Sequence, residues 1–213
     1  MNTNHAERLL RETRDFEGAT HLVDIPGMSS PRVCRFLNEL VRSMDAGEHY
    51  LEVGSWRGRT LLSAAVGNKG RLCIGCDKFR LYGRHTGLGA LARRALQENV
   101  GRYRDDRAAI HFFDMPSRRF FSRNRLPGPI GVYFYDGDHS RRGTRRSIAA
   151  AGPLLSRRAV LLVDDWNVDR IREGTVAGLA DASLHVLWHR ALEGDHTGRT
   201  WWNGLGVFYV ERR

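Results

Sequence analysis

Lysine is almost missing from this chain of 213 residues: Lys69 and Lys78 are the only two, so 32 of the 34 basic side chains are arginines. Cysteine is scarce too, at three, and no apolar run approaches the roughly 20 residues that a bilayer span needs. An odd, small number of thiols argues against a disulfide framework. Cys73 and Cys76 form a C-x-x-C, but an extended backbone points positions three apart to opposite faces. Inside the apolar run 72–76 they read as two buried strand thiols rather than a redox or zinc pair. The first 18 residues alternate charged and apolar side chains, with no continuous hydrophobic segment. No secretory leader is visible, and the expected compartment is cytoplasmic with no membrane partner.

With 41% apolar and 27% charged residues, the composition is that of a globular protein, and the length suits a single domain over residues 1–213. The net charge of +10 invites an anionic partner such as nucleic acid or lipid. Two features weigh against it. GC-rich codons alone favour arginine, and the basic residues come as scattered pairs (Arg93/Arg94, Arg118/Arg119, Arg141/Arg142, Arg145/Arg146, Arg157/Arg158) rather than as one tail. The expectation is a solvated arginine-rich surface without nucleic acid.

Hydrophobic spacing supplies the architecture. Val33, Phe36, Leu37, Leu40, Val41 and Met44 recur at helical intervals after Ser29, Ser30 and Pro31, which predicts an amphipathic helix with a defined start. Residues 1–45 are thus an N-terminal cap and helical segment. From Tyr50 onward short apolar runs at 50–53, 72–76, 109–113, 130–135 and 159–163 alternate with helical or loop segments, as in a parallel sheet buried on both faces. Leu88 to Tyr103 has one apolar helical face, and Ile148, Ala151 and Leu155 suggest another helix ending near Gly152-Pro153. Residues 185–188 and 206–210 lack room for a crossover helix between them and should pair as an antiparallel hairpin. The fold class is α/β, doubly wound and Rossmann-like.

In such sheets ligands bind beyond the carboxyl ends of the strands. The first run ends Glu52-Val53-Gly54-Ser55-Trp56-Arg57-Gly58-Arg59-Thr60, where two glycines four apart let the backbone turn tightly against a ligand. The second run ends in Asp77, placed to accept both hydroxyls of a ribose. A dinucleotide site would need closer glycines and no carboxylate at the phosphate position. Glu52 suits a ligand with a cationic amino group instead. From about Ser29 onward the chain resembles the class I S-adenosylmethionine-dependent methyltransferases, whose acid-x-Gly-x-x-x-Gly motif matches Glu52, Gly54 and Gly58. The resemblance implies a seven-stranded, mostly parallel sheet with an antiparallel last strand. It also implies S-adenosylmethionine held by this loop and by Asp136 at the end of the fourth run, with Asp77 on the ribose and Asp114, after the third strand, near the adenine.

The fourth run ends Tyr135-Asp136-Gly137-Asp138-His139-Ser140 and the fifth Val163-Asp164-Asp165. Adjacent strands would gather four carboxylates and an imidazole at the mouth of the cofactor site, a crowding that calls for a divalent cation or a cationic substrate. Turn and cap chemistry explains one or two of these residues, less easily all five. The layout is similar to a small-molecule subgroup containing methyltransferase family 24 and the macrocin-type and magnesium-dependent catechol O-methyltransferases. That resemblance implies that Asp136, Asp164 and Asp165 bind Mg2+ or Ca2+. For the general base it implies Asp138 by the sugar-enzyme pattern, or the catechol-type lysine position, where this chain has His139. The implied activity is transfer of a methyl group to a hydroxyl, or less favourably an amine, of a small polyhydroxylated or sugar-containing metabolite, as in natural-product biosynthesis. Segments 20–30, 79–89 and 193–202 are expected to wall the acceptor pocket. The competing reading is an RNA-directed methyltransferase or RNA-binding module using the basic surface. A homo-oligomer is left open.

Overall fold

A computed structural model describes residues 8–9, 19–80, 87–123, 126–196 and 200–213. Helix α1 (Pro31–Arg42) begins as its sequence demands: Pro31 occupies the first turn, and the Ser30 hydroxyl accepts the Val33 amide at 3.3 Å. It buries Val33, Phe36, Leu37, Leu40 and Val41, and stops at Ser43, so Met44 is buried just beyond it.

Seven strands follow: β1 (His49–Val53), β2 (Leu72–Asp77), β3 (Ala109–Asp114), β4 (Ile130–Tyr135), β5 (Leu155–Val163), β6 (Leu184–Leu192) and β7 (Leu205–Arg212). They form one sheet in the order β3-β2-β1-β4-β5-β7-β6. Strands β1 to β5 are parallel, each pair spanned by a helix: α2 (Arg59–Ala65), α3 (Leu88–Arg102), α4 (Ser117–Arg123) and α5 (Arg141–Ala151). Strand β7 runs antiparallel between β5 and β6, which is the expected hairpin. Central β4 is buried at every position, whereas edge strand β3 alternates exposed and half-buried side chains. Cys73 faces one core with α1 to α3, and Cys76 the other with α4, α5 and α6 (Asp169–Asp181). All three thiols are free and buried. Among the described residues no helix is long and apolar enough to cross a membrane.

Two details depart from the sequence reading. Leu155 belongs to β5, not to the preceding helix, because α5 ends at Ala151 and Gly152-Pro153-Leu154 turn once as a 3-10 helix before the strand begins. Helix α6 was not foreseen. Its packed face carries two glycines between Ile171 and Leu179: a side chain on Gly174 or Gly178 would meet the carbonyl oxygens of Arg141 or Arg145 at 2.6 and 2.8 Å, so α5 and α6 touch backbone to backbone.

One buried polar residue joins α1 to α2. Asn38 donates from Nδ2 to the carbonyls of Ser63 at 2.8 Å and Val66 at 2.7 Å, ending α2, and its own carbonyl accepts from Asn68 at 3.1 Å. Asn38→Leu keeps the volume and orphans those carbonyls, so urea unfolding should show a loss of about 2–3 kcal/mol. A change within error would mean that this cap does not hold the two helices.

Candidate active site

The carboxyl ends of β1, β2, β4 and β5 meet at one edge of the sheet. After Val53 the backbone turns through Gly54 (φ +100°), whose amide donates to the Cys76 carbonyl at 2.9 Å. A Cβ on Gly54 would lie 1.7 Å from the Asp136 carbonyl oxygen, so only glycine permits this approach of the β1 loop to β4. Gly58 (φ +89°) opens α2, and its amide donates to Ser55 at 2.7 Å. Asp77 holds the loop from the next strand: Oδ2 accepts the Trp56 amide at 2.8 Å and Oδ1 the Phe79 amide at 2.6 Å. Both Trp56 and Phe79 sit at positive φ, 45° and 49°, so a shared carboxylate holds two strained residues. Burial pushes Asp77 above its ordinary carboxylate range despite these amide bonds.

Glu52 lies inside this turn, fully buried. Its Oε2 accepts the Tyr50 hydroxyl at 2.7 Å, while Oε1 is buried without a hydrogen-bond partner. Desolvation pushes its pKa up to about 7, and the charge of Asp77 adds to the rise. A buried half-paired carboxylate beside a glycine turn, with Ser55 and Thr60 also buried at the loop, fits a ligand that brings a cationic amino group. The cleft here is lined by Gly54, Ser55, Trp56, Thr60 and Asp136 on one side and by the strap Pro26–Ser29 on the other. Arg59 ties that strap down, donating to the carbonyls of Ile25 and Ser29. Sequence reading placed residues 20–30 near the acceptor and missed Arg59, although it stands inside the quoted loop.

At the ends of β4 and β5 the foreseen residues separate into two groups. His139 Nε2 lies 3.2 Å from Asp165 Oδ2 and 3.6 Å from Asp136 Oδ1, and ligand atoms of the three lie within 4.8 Å of one another. Asp138 points elsewhere: its Oδ1 accepts the Ser140 amide at 3.0 Å, and its side chain lies against Gly143 in the first turn of α5. Asp164 is buried next to the group but outside it. Burial pushes Asp136 and Asp164 well above the carboxylate range; the charges of Asp165, Glu52 and Asp77 add to the rise at Asp136, and those of Asp136 and Asp165 to the rise at Asp164. Asp114 ends β3 opposite Asp77 and pairs with Arg93 of α3 at 2.9 Å.

Asn203 was not foreseen. Its Nδ2 donates to Asp165 Oδ1 at 2.7 Å, and its Oδ1 meets His196 Nδ1 at 2.7 Å, so the turn before β7 holds Asp165 (φ 55°) against His139. No sequence motif marks it, since a lone Asn 38 residues away shows no spacing to Asp165. Arg170 donates to the His139 carbonyl at 2.6 Å from the start of α6. Trp201 is core rather than pocket wall, its ring edge-on to Phe36 at 5.8 Å. Within the expected acceptor segments, 81–86 and 197–199 lie outside the described residues.

Residues 51–166 match the profile of a family described as a methyltransferase domain. The fold resembles that of an O-methyltransferase from Bacillus cereus in complex with S-adenosylhomocysteine, with 15% identity over 99% of this chain and 92% of that one, and a TM-score of 0.58. It also resembles a Staphylococcus aureus protein put forward as a caffeoyl-CoA O-methyltransferase, at 13% identity over 96% and 91% of the chains, TM-score 0.58. A third similar structure is TYW2 from M. jannaschii in complex with AdoMet, at 13% identity over 83% and 74% of the chains, TM-score 0.54. No curated protein matches this sequence.

The raised pKa of Glu52 carries a stability signature. Its protonated form is favoured by folding, so its contribution is complete below pH about 4.5 and is lost as pH rises toward about 7. Glu52→Gln should equal the wild type at pH 4 and exceed it in thermal stability at pH 8, by up to about 3 kcal/mol, while losing affinity for S-adenosylhomocysteine. Equal stability at both pH values would mean that Glu52 is not strained.

Proposed function

Because the chain belongs to the methyltransferase-domain family matched over residues 51–166 and is a methyltransferase dependent on S-adenosylmethionine, we propose that its acceptor is a hydroxyl group of a small polyhydroxylated or sugar-containing metabolite, as in natural-product biosynthesis. The observation that carries this reading is the contact of His139 with Asp136 and Asp165 beside the glycine loop. An amine needs only to be deprotonated before it attacks a methyl group, whereas a sugar hydroxyl needs help from a base throughout.

The cofactor supplies an electrophilic methyl group. Glu52 receives its amino group, Asp77 its ribose, and Asp114 borders its base, while Gly54, Ser55, Gly58 and Thr60 shape the turn against it. The strap Pro26–Ser29 covers the same cleft and excludes water from it. His139 takes the proton from the acceptor hydroxyl, and Asp165 orients the imidazole and stabilises the imidazolium that results. Asp138 serves the start of α5 and leaves the base role to His139. Asp136 and Asp165, with Asp164 buried beside them, would suit a hard divalent cation such as Mg2+ or Ca2+, since a positive charge would relieve the repulsion that raises Asp136 and Asp164. Such a cation would lower the proton affinity of a bound hydroxyl. Three buried free thiols suit a reducing cytoplasmic setting.

Calorimetry should show binding of S-adenosylhomocysteine but not NAD, with Asp77→Ala at least tenfold weaker. Transfer of a labelled methyl group to a panel of sugars, catechols and amines then tests the acceptor. On an active hydroxyl acceptor His139→Gln should lose about a hundredfold in turnover, near 2.7 kcal/mol of barrier, with Asp138→Asn close to wild type. The reverse order would assign the base to Asp138, and transfer to amines alone would defeat the hydroxyl reading.

A further inference from the structure

Arginine pairs that lie far apart along the chain come together in the fold. Helix α4 carries Arg118, Arg119 and Arg123, helix α5 carries Arg141, Arg142, Arg145 and Arg146, and neither contains an acidic residue. The two helices pack side by side over one face of the sheet. Phe121 stands edge-on to Tyr133 with ring centroids 6.3 Å apart, and the Tyr133 hydroxyl meets Ser147 of α5 at 3.0 Å.

All seven arginines are exposed. Arg141 and Arg145 are neutralised by α6, through Glu173 at 3.1 Å and a two-pronged contact with Asp181 at 2.6 and 2.9 Å. The guanidinium groups of Arg118, Arg119, Arg123, Arg142 and Arg146 have no ion pair or hydrogen bond among the described residues. This differs from much of the molecule, where Arg59, Arg71 and Arg107 bond backbone carbonyls and Arg42, Arg93, Arg94 and Arg158 bond carboxylates. Three of the five pairs that look scattered in sequence therefore lie on two neighbouring helices, which together carry an excess of five exposed positive charges.

The surroundings select the partner. A protein interface needs aromatic or apolar anchors at its centre, and membrane docking needs an apolar stripe to insert. Phe120, Ile148 and Ala151 of these helices are instead buried against the sheet, and no large apolar side chain on either helix is exposed. A phosphodiester strand needs only spaced cations, and guanidinium groups match phosphate with two parallel hydrogen bonds. We infer that this arginine face binds the phosphate backbone of a nucleic acid strand. Recognition is independent of base sequence, because the face offers no exposed aromatic ring for stacking. Both helices start at the carboxyl edge of the sheet, and Arg142 lies three residues beyond His139. The surface is separate from the residues proposed for methyl transfer, and binding of S-adenosylhomocysteine reports on those independently.

The test is fluorescence anisotropy with a labelled 20-nucleotide single-stranded RNA and with a labelled polyglutamate of similar charge, across a range of salt. Five neutralised phosphates predict a slope of log K against log salt of about −3.5. Changing Arg118, Arg119, Arg123, Arg142 and Arg146 to Gln should weaken RNA binding at least tenfold, flatten the slope and leave S-adenosylhomocysteine binding unchanged. A control removes five exposed arginines elsewhere, Arg94, Arg102, Arg104, Arg157 and Arg213, and should bind RNA within a factor of about three of wild type. Equal losses in the two variants would show a diffuse charge effect and overturn the inference. So would absence of RNA binding by the wild type, or tighter binding of polyglutamate than of RNA.

Discussion

The contact between Gly54 and the Asp136 carbonyl decides the character of this molecule. It draws the end of β1 against the end of β4 as closely as backbone allows, and three acids come with it: Glu52 inside the turn, Asp136 across from it and Asp77 one strand away. Burial pushes each above its ordinary pKa, and the charge of Asp77 adds to the rise at Glu52 and Asp136. A fold that gained nothing from this edge would place polar, neutral groups there. The sheet instead concentrates negative charge where it is most expensive, which is the expected condition of a site that receives cations.

Relief comes locally from hydrogen bonds. Tyr50 donates to Glu52, two amides donate to Asp77, and His139 approaches both Asp136 and Asp165. The rest of the chain keeps these donors in place. Arg59 anchors the strap, and the turn before β7 delivers Asn203 to Asp165. Strain collects at the same points: Trp56, Phe79 and Asp165 occupy positive φ, as do Trp202, beside Asn203, and His196, which contacts it.

The features legible in sequence were those with a period or a local motif. Strands β1 to β5, the capped start of α1, the glycine turn and the acids ending β2, β4 and β5 all announce themselves within a few residues. Long-range partners do not. Asn203 reaches Asp165 across 38 positions, and Asn38 caps a helix from another element. Helix α6 stayed hidden because Gly174, Thr175 and Gly178 occupy the middle of its packed face, leaving Ile171 and Leu179, eight residues apart, as a sparse hydrophobic signal. The four carboxylates expected at one mouth were separated by a distinction that only geometry makes: Asp138 turns toward the amides opening α5 while its neighbour His139 turns toward β5. The arginine pairs of α4 and α5 are a further long-range case, since spacing along the chain says little about helices that lie side by side.

If the acids at this edge are held partly protonated until a cationic ligand arrives, binding must expel protons. Calorimetric titration of S-adenosylhomocysteine at pH 7, repeated in buffers of different ionisation enthalpy, measures that number directly. A group titrating at about 7 in the free protein is half protonated there, so the account predicts release of roughly half a proton or more per ligand bound. Zero release, or net uptake, would contradict it.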